Sequence, residues 1–355
     1  MMTKEQKERA RQRVTDTALY LYDRGLLLRH FGNISCRIDD DSFFITPGGV
    51  KFSELTPESV VEVKTADLGY EGNIEPPAES RLHAAIYQTR HDARFVVHTH
   101  QVYASCAGVL GRRRVRTELD EERIILPIAA YAPSGTGKLA DNVRSAVKRF
   151  PDSRAILMAN HGAICYGSNE DDAVIETERL EKACEAFLIN ICRLDMSHGI
   201  KEGYSSRLDN GMILFSRKDT PERIKRLHTQ VYRKRKDVRV ILHNMSEAVL
   251  LVSRRGERLL PLFDDFAQFI GEDVYIPSNH GGYDGERVDI KRNVNAVFIR
   301  NEGALCLGKD VEDASVAALL LDKECLADTA VMHFGEGQYL TRQDTRNIRR
   351  RKNAY

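Results

Sequence analysis

Two stretches of this chain occur twice. Arg81-Leu82-His83, Tyr87, Asp92, Arg94 and His98 recur at one constant displacement as Arg226-Leu227-His228, Tyr232, Asp237, Arg239 and His243. Further on, Asn160-His161-Gly162-Ala163-Ile164-Cys165-Tyr166-Gly167 recurs as Asn301-Glu302-Gly303-Ala304-Leu305-Cys306-Leu307-Gly308, at a slightly shorter displacement. Leu126-Pro127 is echoed by Leu260-Pro261. Recurrence in this order predicts two related domains, and 355 residues are enough for both. The expected division is residues 1–197, residues 206–341 and a basic tail over 342–355, frayed because it lacks a sustained apolar stripe. Turn-forming residues from about Ser197 to Asn210 read as the linker.

Within the first copy, Phe95-Val96-Val97 leading into His98-Thr99-His100 reads as a buried strand, and alternation places His98 and His100 on one face. Upstream, Pro76 to His83 reads as a helix opening with proline in its first turn, and it offers the carboxylate of Glu79. Downstream, the strand Ala155 to Ala159 ends at Asn160-His161-Gly162 and offers His161. Taken singly, each histidine reads as a core residue satisfying its own hydrogen bonds. Three neutral imidazoles with one carboxylate form a set suited to a divalent cation such as Zn²⁺, with Mn²⁺, Co²⁺ or Fe²⁺ also served.

Composition narrows the function classes. The 53 basic residues balance 52 acidic ones, so no net field selects nucleic acid or an anionic membrane. No run approaches the roughly 18 apolar residues of a membrane span. The charged start lacks the apolar core of a secretory signal, so the expected address is the cytoplasm. Seven scattered cysteines without a C-x-x-C pair read as reduced, mostly buried residues.

Lys4 to about Leu28 reads as a helix with Val14, Ala18, Leu21 and Tyr22 on one stripe. Gly32-Asn33-Ile34-Ser35 then enters a strand, and a second strand ends in Thr46-Pro47-Gly48-Gly49. Both turns read as hairpin turns, and the second also as a nest of backbone N–H groups able to hold an anion. Glu170 to Leu194 reads as a long helix, echoed by Glu312 to Val331.

Gly32-Asn33-Ile34-Ser35, Thr46-Pro47-Gly48-Gly49, Glu79, His98-Thr99-His100 and Asn160-His161-Gly162, in that order, resemble the class II aldolase/adducin family over about residues 5 to 195. The resemblance implies a three-layer α/β/α domain with a largely antiparallel sheet. It implies a divalent metal, usually Zn²⁺, on Glu79, His98, His100 and His161, with Glu79 also handling protons. The implied reaction is lyase chemistry, aldolase-type C–C cleavage or formation through a metal-stabilised enediolate, on a small polyhydroxylated carbonyl compound or sugar acid.

Departures from the family pattern shape that expectation. Gly48 and Pro77-Ala78 stand where phosphate-binding relatives carry hydroxyls, leaving Asn33, Gly48 and Gly49 to cradle an anion. A carboxylate or an unphosphorylated sugar acid thereby competes with a sugar phosphate. Gly111 to Ile125 contains no tyrosine where aldolase relatives carry a proton donor. A decarboxylase, epimerase or dehydratase of the same family, and an adducin-like scaffold without chemistry, are the alternatives. The complete ligand set favours an enzyme, because a scaffold has no use for clustered interior imidazoles.

The second copy lacks the set. Ile224, Met245 and Glu302 stand at the positions of Glu79, His100 and His161, and only His243 persists, so the fold there is expected to be a shorter, degenerate repeat. The turns at the front of the first copy have no counterpart in this reading. His83 persists as His228 beside no site, which assigns both to packing or hydrogen bonding. A homodimer forming a pseudo-tetramer of domains follows from the resemblance to fourfold rings. The second domain then completes the pocket and supplies the missing donor from Tyr275, His280 or Tyr283.

Overall fold

The apolar run before the paired histidines forms a strand whose alternate side chains enter two different cores. The computed structural model describes residues 3–119, 121–192, 203–277 and 290–352, and divides after Asn190 into two compact units. In chain order the first carries α1 (Lys4–Asp23), β1 (Asn33–Arg37), β2 (Ser42–Ile45), β3 (Val61–Lys64), α2 (Ser80–Thr89), β4 (Phe95–Thr99), α3 (Val102–Gly108), β5 (Arg114–Leu119), β6 (Glu122–Ala129), α4 (Gly137–Arg149), β7 (Ala155–Met158), β8 (Gly162–Gly167) and α5 (Glu170–Cys192). The strands form one sheet in the order β3-β2-β1-β4-β8-β7-β6-β5. Every pairing is antiparallel except that of β6 with β7.

Phe95 and Val97 share a core with Val14, Ala18 and Leu21 of α1, while Val96 shares one with Leu82 and Ile86 of α2 and Val143 of α4. A strand feeding two cores lies between two helical layers, so the unit is the expected α/β/α sandwich on a largely antiparallel sheet. Thr3 caps α1 reciprocally with Gln6, and the helix stops at Asp23, short of the expected Leu28, with Gly25 following at φ 72°. Pro76 and Pro77 precede α2 instead of occupying its first turn. The carbonyl of Pro77 accepts from the Ser80 amide and hydroxyl, which fixes the helix start one residue after Glu79.

The second unit carries β9 (Tyr204–Arg207), β10 (Ile213–Phe215), α6 (Glu222–Lys234), β11 (Val240–Asn244), α7 (Glu247–Ser253), β12 (Arg258–Leu259), α8 (Asp264–Phe269), β13 (Val274–Tyr275), β14 (Ala296–Phe298), β15 (Ala304–Gly308), α9 (Val311–Phe334) and α10 (Arg342–Lys352). Its main sheet runs β10-β9-β11-β15-β14, and β12 pairs with β13. The registers repeat: His98 faces Ile164 across β4 and β8 as His243 faces Leu305 across β11 and β15.

Three expectations change here. The second copy, expected to be shorter at its front for want of the opening turn motifs, still carries two opening strands, β9 and β10, paired Ser205 to Phe215 as Ser35 pairs with Ile45. For the same reason the stretch read as linker contains a strand, Tyr204–Arg207. Only a serine and an arginine persist between the two opening strands, too little for a sequence match, but these are the side chains that bond inward. Ser35 Oγ lies 2.6 Å from His83 Nδ1 and 2.7 Å from the Tyr87 hydroxyl, and Ser205 Oγ lies 2.7 Å from His228 Nδ1 and 2.9 Å from the Tyr232 hydroxyl. Arg37 and Arg207 lie over the Tyr87 and Tyr232 rings. The basic tail, expected to fray, is helical to Lys352 and anchored. Thr345 is buried, and Arg349 donates to the carbonyls of Ala267 and Asn293. A helix held by guanidinium bonds to carbonyls shows no apolar stripe.

The Asn-x-Gly repeat is a backbone requirement in both copies. Asn160 and Asn301 take φ near 60°, and a Cβ on Gly162 or Gly303 would come within 2.2 Å of the Thr99 carbonyl or 2.1 Å of the Asn244 carbonyl. The six described cysteines are buried and unbridged, and no helix among the described residues is long and apolar enough to cross a membrane.

Gly303→Ala is expected to cost about 1–3 kcal/mol beyond Gly211→Ala, because both glycines have positive φ but only Gly303 faces a backbone carbonyl. Equal urea midpoints for the two variants would refute this. Burial pushes His83 and His228 down to about 3, so both stay neutral in the folded chain while the unfolded chain binds protons near 6.5. Their contribution is therefore complete above that value and is lost as pH falls toward 3, at about 1.4 kcal/mol per unit for each histidine. Urea midpoints followed from neutral to mildly acidic pH should fall less steeply in His228→Gln.

Candidate metal centre

Three elements of the first unit converge on one buried point. His98 lies opposite Asn33 near the end of β4, on the face that carries Val96 toward α2. His100 follows directly after the strand, Glu79 stands at the N-cap position of α2, and His161 lies in the turn between β7 and β8. Ligand atoms of these four buried residues all lie within 4.8 Å of one another. Glu79 Oε2 is 3.1 Å from His98 Nε2, Glu79 Oε1 is 2.8 Å from His161 Nε2, and the His98 and His100 Nε2 atoms are 3.2 Å apart.

These distances fit a metal ion. Bonds of 2.0–2.1 Å to a tetrahedral Zn²⁺ set ligand atoms about 3.4 Å apart, close to the spacings found. His98 Nδ1 donates to the Ala163 carbonyl at 2.8 Å, so in the neutral ring the Nε2 lone pair faces the cluster. Burial raises the Glu79 carboxyl, but the His98 and His161 imidazoles outweigh it and hold the group well below the usual carboxylate range. His98 thus presents a lone pair and Glu79 an anion to a common centre, with His100 and His161 beside them, a donor set that suits a borderline divalent cation.

Glu79 is gripped from outside the cluster as well. Asn33 Nδ2 donates to Oε2 at 3.0 Å and Ser134 Oγ donates to Oε1 at 2.8 Å. With its NH₂ on Glu79, Asn33 turns its carbonyl oxygen to His83 Nε2 at 2.7 Å, so that nitrogen carries the proton. His83 Nδ1 then accepts from the Ser35 hydroxyl. One buried chain of hydrogen bonds runs from Tyr87 through Ser35, His83 and Asn33 to the carboxylate.

The sequence reading missed Ser134. Its signal was the Gly-rich turn Pro133-Ser134-Gly135-Thr136-Gly137 before α4. Gly135 has φ 71°, and its Cβ would stand 2.9 Å from that of Ala78, a close approach that carries Ser134 to Glu79.

Of the residues expected to cradle an anion, Asn33 spends its amide on Glu79, and the Gly48 N–H is bonded to the Glu75 carbonyl at 2.9 Å. Gly49 stands in an exposed turn at φ 71°. Among the expected donors, Tyr275 is an exposed residue of β13 in the second unit, while His280 and Tyr283 lie outside the described residues.

Asn33→Ala should cost about 1–3 kcal/mol, because it leaves a buried His83 N–H and one Glu79 oxygen without their partner. A urea midpoint unchanged from wild type would show that the chain through Asn33 contributes nothing to folding.

The model of the class II aldolase and adducin N-terminal domain matches this chain twice, over residues 12–188 and 191–328. An L-fuculose phosphate aldolase of Methanococcus maripaludis is 34% identical over 170 residues, covering 46% of this chain and 88% of the relative. The enzyme of that name from Escherichia coli is 31% identical over 194 residues, covering 54% and 87%. Among solved structures, an L-fuculose-1-phosphate aldolase from Thermus thermophilus is 27% identical over 51% of this chain and 94% of its own, with a TM-score of 0.43. With a domain match in each half and the Glu79, His98, His100 and His161 cluster in the first, the chain belongs to the class II aldolase and adducin family.

Proposed function

We propose that the first domain is a divalent-metal-dependent lyase, cleaving or forming a C–C bond in a small polyhydroxylated carbonyl compound. The observation that carries this reading is the buried cluster of three imidazoles and one carboxylate, with the His98 lone pair aimed inward by the Ala163 carbonyl. A bound divalent cation, Zn²⁺ by preference, supplies Lewis acidity toward the carbonyl and adjacent hydroxyl oxygens of a substrate. Glu79 is both ligand and proton carrier: Ser134 and Asn33 hold its two oxygens, so the carboxylate keeps its aim as protonation changes. The second domain, with Ile224 and Met245 at two of the four ligand positions, takes no part as a metal site.

A second reading within the family, a decarboxylase, epimerase or dehydratase acting on an unphosphorylated sugar acid, is favoured by one feature. The Asn33 amide and the Gly48 N–H, which would have to grip a phosphate, are already bonded within the chain.

Metal content and turnover test both. Wild type after exhaustive dialysis should retain about one divalent ion per chain, lost in His98→Ala, and Glu79→Gln should reduce turnover about 10²–10⁴-fold with metal retained. Sugar phosphates and sugar acids assayed side by side decide between the two readings. A folded wild type that binds no metal would overturn both and leave a scaffold.

A further inference from the structure

The second unit holds a cavity at the place where the first holds its cluster. Its volume is about 430 Å³, within the range of small-molecule sites, and its walls include Gly203, Ile224, His228, His243, Met245 and Glu302. By strand register and repeat these stand at the positions of Asn33, Glu79, His83, His98, His100 and His161.

The chemistry of the cavity has changed in a consistent direction. Glu302 is ion-paired with Arg223, so a guanidinium stands beside the carboxylate that occupies the position of His161. Its backbone carbonyl accepts from His243 Nε2 at 2.7 Å, which leaves that nitrogen protonated and closed to a metal. At the rim Arg217 is paired with Asp219 at 2.8 Å. The charged side chains thus occur as two opposite-sign pairs, and the cavity favours neither a cation nor an anion. Phe215, Ile224 and Met245 add apolar wall.

One polar atom is unanswered. His228 is buried, and its Nε2 has no hydrogen-bond partner. In the first unit the equivalent nitrogen donates to Asn33, but Gly203 has no side chain to meet it. The proton is also on the other nitrogen. The Tyr232 hydroxyl donates to the Ser205 carbonyl at 2.8 Å, so the Ser205 hydroxyl donates to Tyr232 and its oxygen accepts from His228 Nδ1–H. Nε2 therefore offers a lone pair into the space that the Asn33 side chain fills in the first unit, and its complement is an O–H donor.

We propose that this cavity is a second binding site, for a small neutral polyol or hydroxy-carbonyl compound, one hydroxyl of which donates to His228 Nε2. The second domain then retains the shape of a sugar-sized site and has exchanged metal chelation for hydrogen bonding. The proposal stands whether or not the first domain proves to be a lyase.

Glycerol is the probe, titrated into the full-length chain with the histidine ring nitrogens observed by NMR. A saturable shift of His228 Nε2 in the millimolar range is expected. 1,2-Dimethoxyethane, of similar size but without an O–H donor, should bind about tenfold or more weakly. His98→Ala should leave the shift intact, which separates this site from the first domain. Met245→Trp and Ile224→Phe, which fill the cavity from different walls, should abolish it with thermal melting near that of wild type. The proposal is overturned if glycerol produces no shift, if dimethoxyethane shifts the signal equally, or if the shift survives in a folded cavity-filled variant.

Discussion

A buried carboxylate is what the first domain is built to tolerate. An ionised glutamate in an interior is costly unless it is hydrogen-bonded or paired, and Glu79 accepts from Asn33 and Ser134 while standing 3.1 Å from His98 and 2.8 Å from His161. Each comes from a different element, so the carboxylate ties β4, the β7–β8 turn, β1 and the turn before α4 to the start of α2. The same arrangement suits a cation, because an inward-facing imidazole lone pair beside a carboxylate leaves negative charge and lone-pair density that positive charge between them would answer.

Behind the centre lies a layer that the duplication has preserved and the chemistry does not consume. The Ser-His-Tyr group beside β1 recurs beside β9, and the glycine that lets β8 approach the end of β4 recurs where β15 meets β11. These are requirements of the fold: a buried imidazole must bond, and a backbone crossing at 2.2 Å from a would-be Cβ admits only glycine. What differs between the copies stands in front of that layer. Exchanging Asn33 for glycine moves the His83-type proton to the opposite ring nitrogen, and exchanging His161 for Glu302 replaces an imidazole of the cluster with half of an ion pair. One scaffold therefore presents two different polar surfaces at the same place.

The second unit also shows how a short copy completes itself. Charged residues of α9 are buried, with Lys323 paired to Asp265 and Glu324 accepting from the Leu262 amide. Burial raises the Glu324 carboxyl well above the usual range. Helix α10 joins this side through Arg349, which meets the carbonyls of Ala267 and Asn293. Interactions of this kind leave no hydrophobic periodicity, and the C-terminal helix read as a solvated tail for that reason.

The sequence alone determined the duplication and the face on which His98 lies, because both rest on residue order or local periodicity, while the sandwich and the candidate cluster were legible through the resemblance of those landmarks to a known family. Alternation along Phe95–Thr99 puts His98 on one face whatever the rest of the chain does, and a repeated Asn-x-Gly marks a repeated turn. Only the tertiary structure decided which groups hold Glu79, since Ser134 is far from it in sequence and arrives through the close packing of Gly135 on Ala78. Only it revealed β9 and β10, whose kinship with β1 and β2 lies in hydrogen-bond register, a property of strand pairs. The direction of each imidazole's proton was likewise beyond the sequence. It depends on which neighbour across the fold has already committed its own hydrogen.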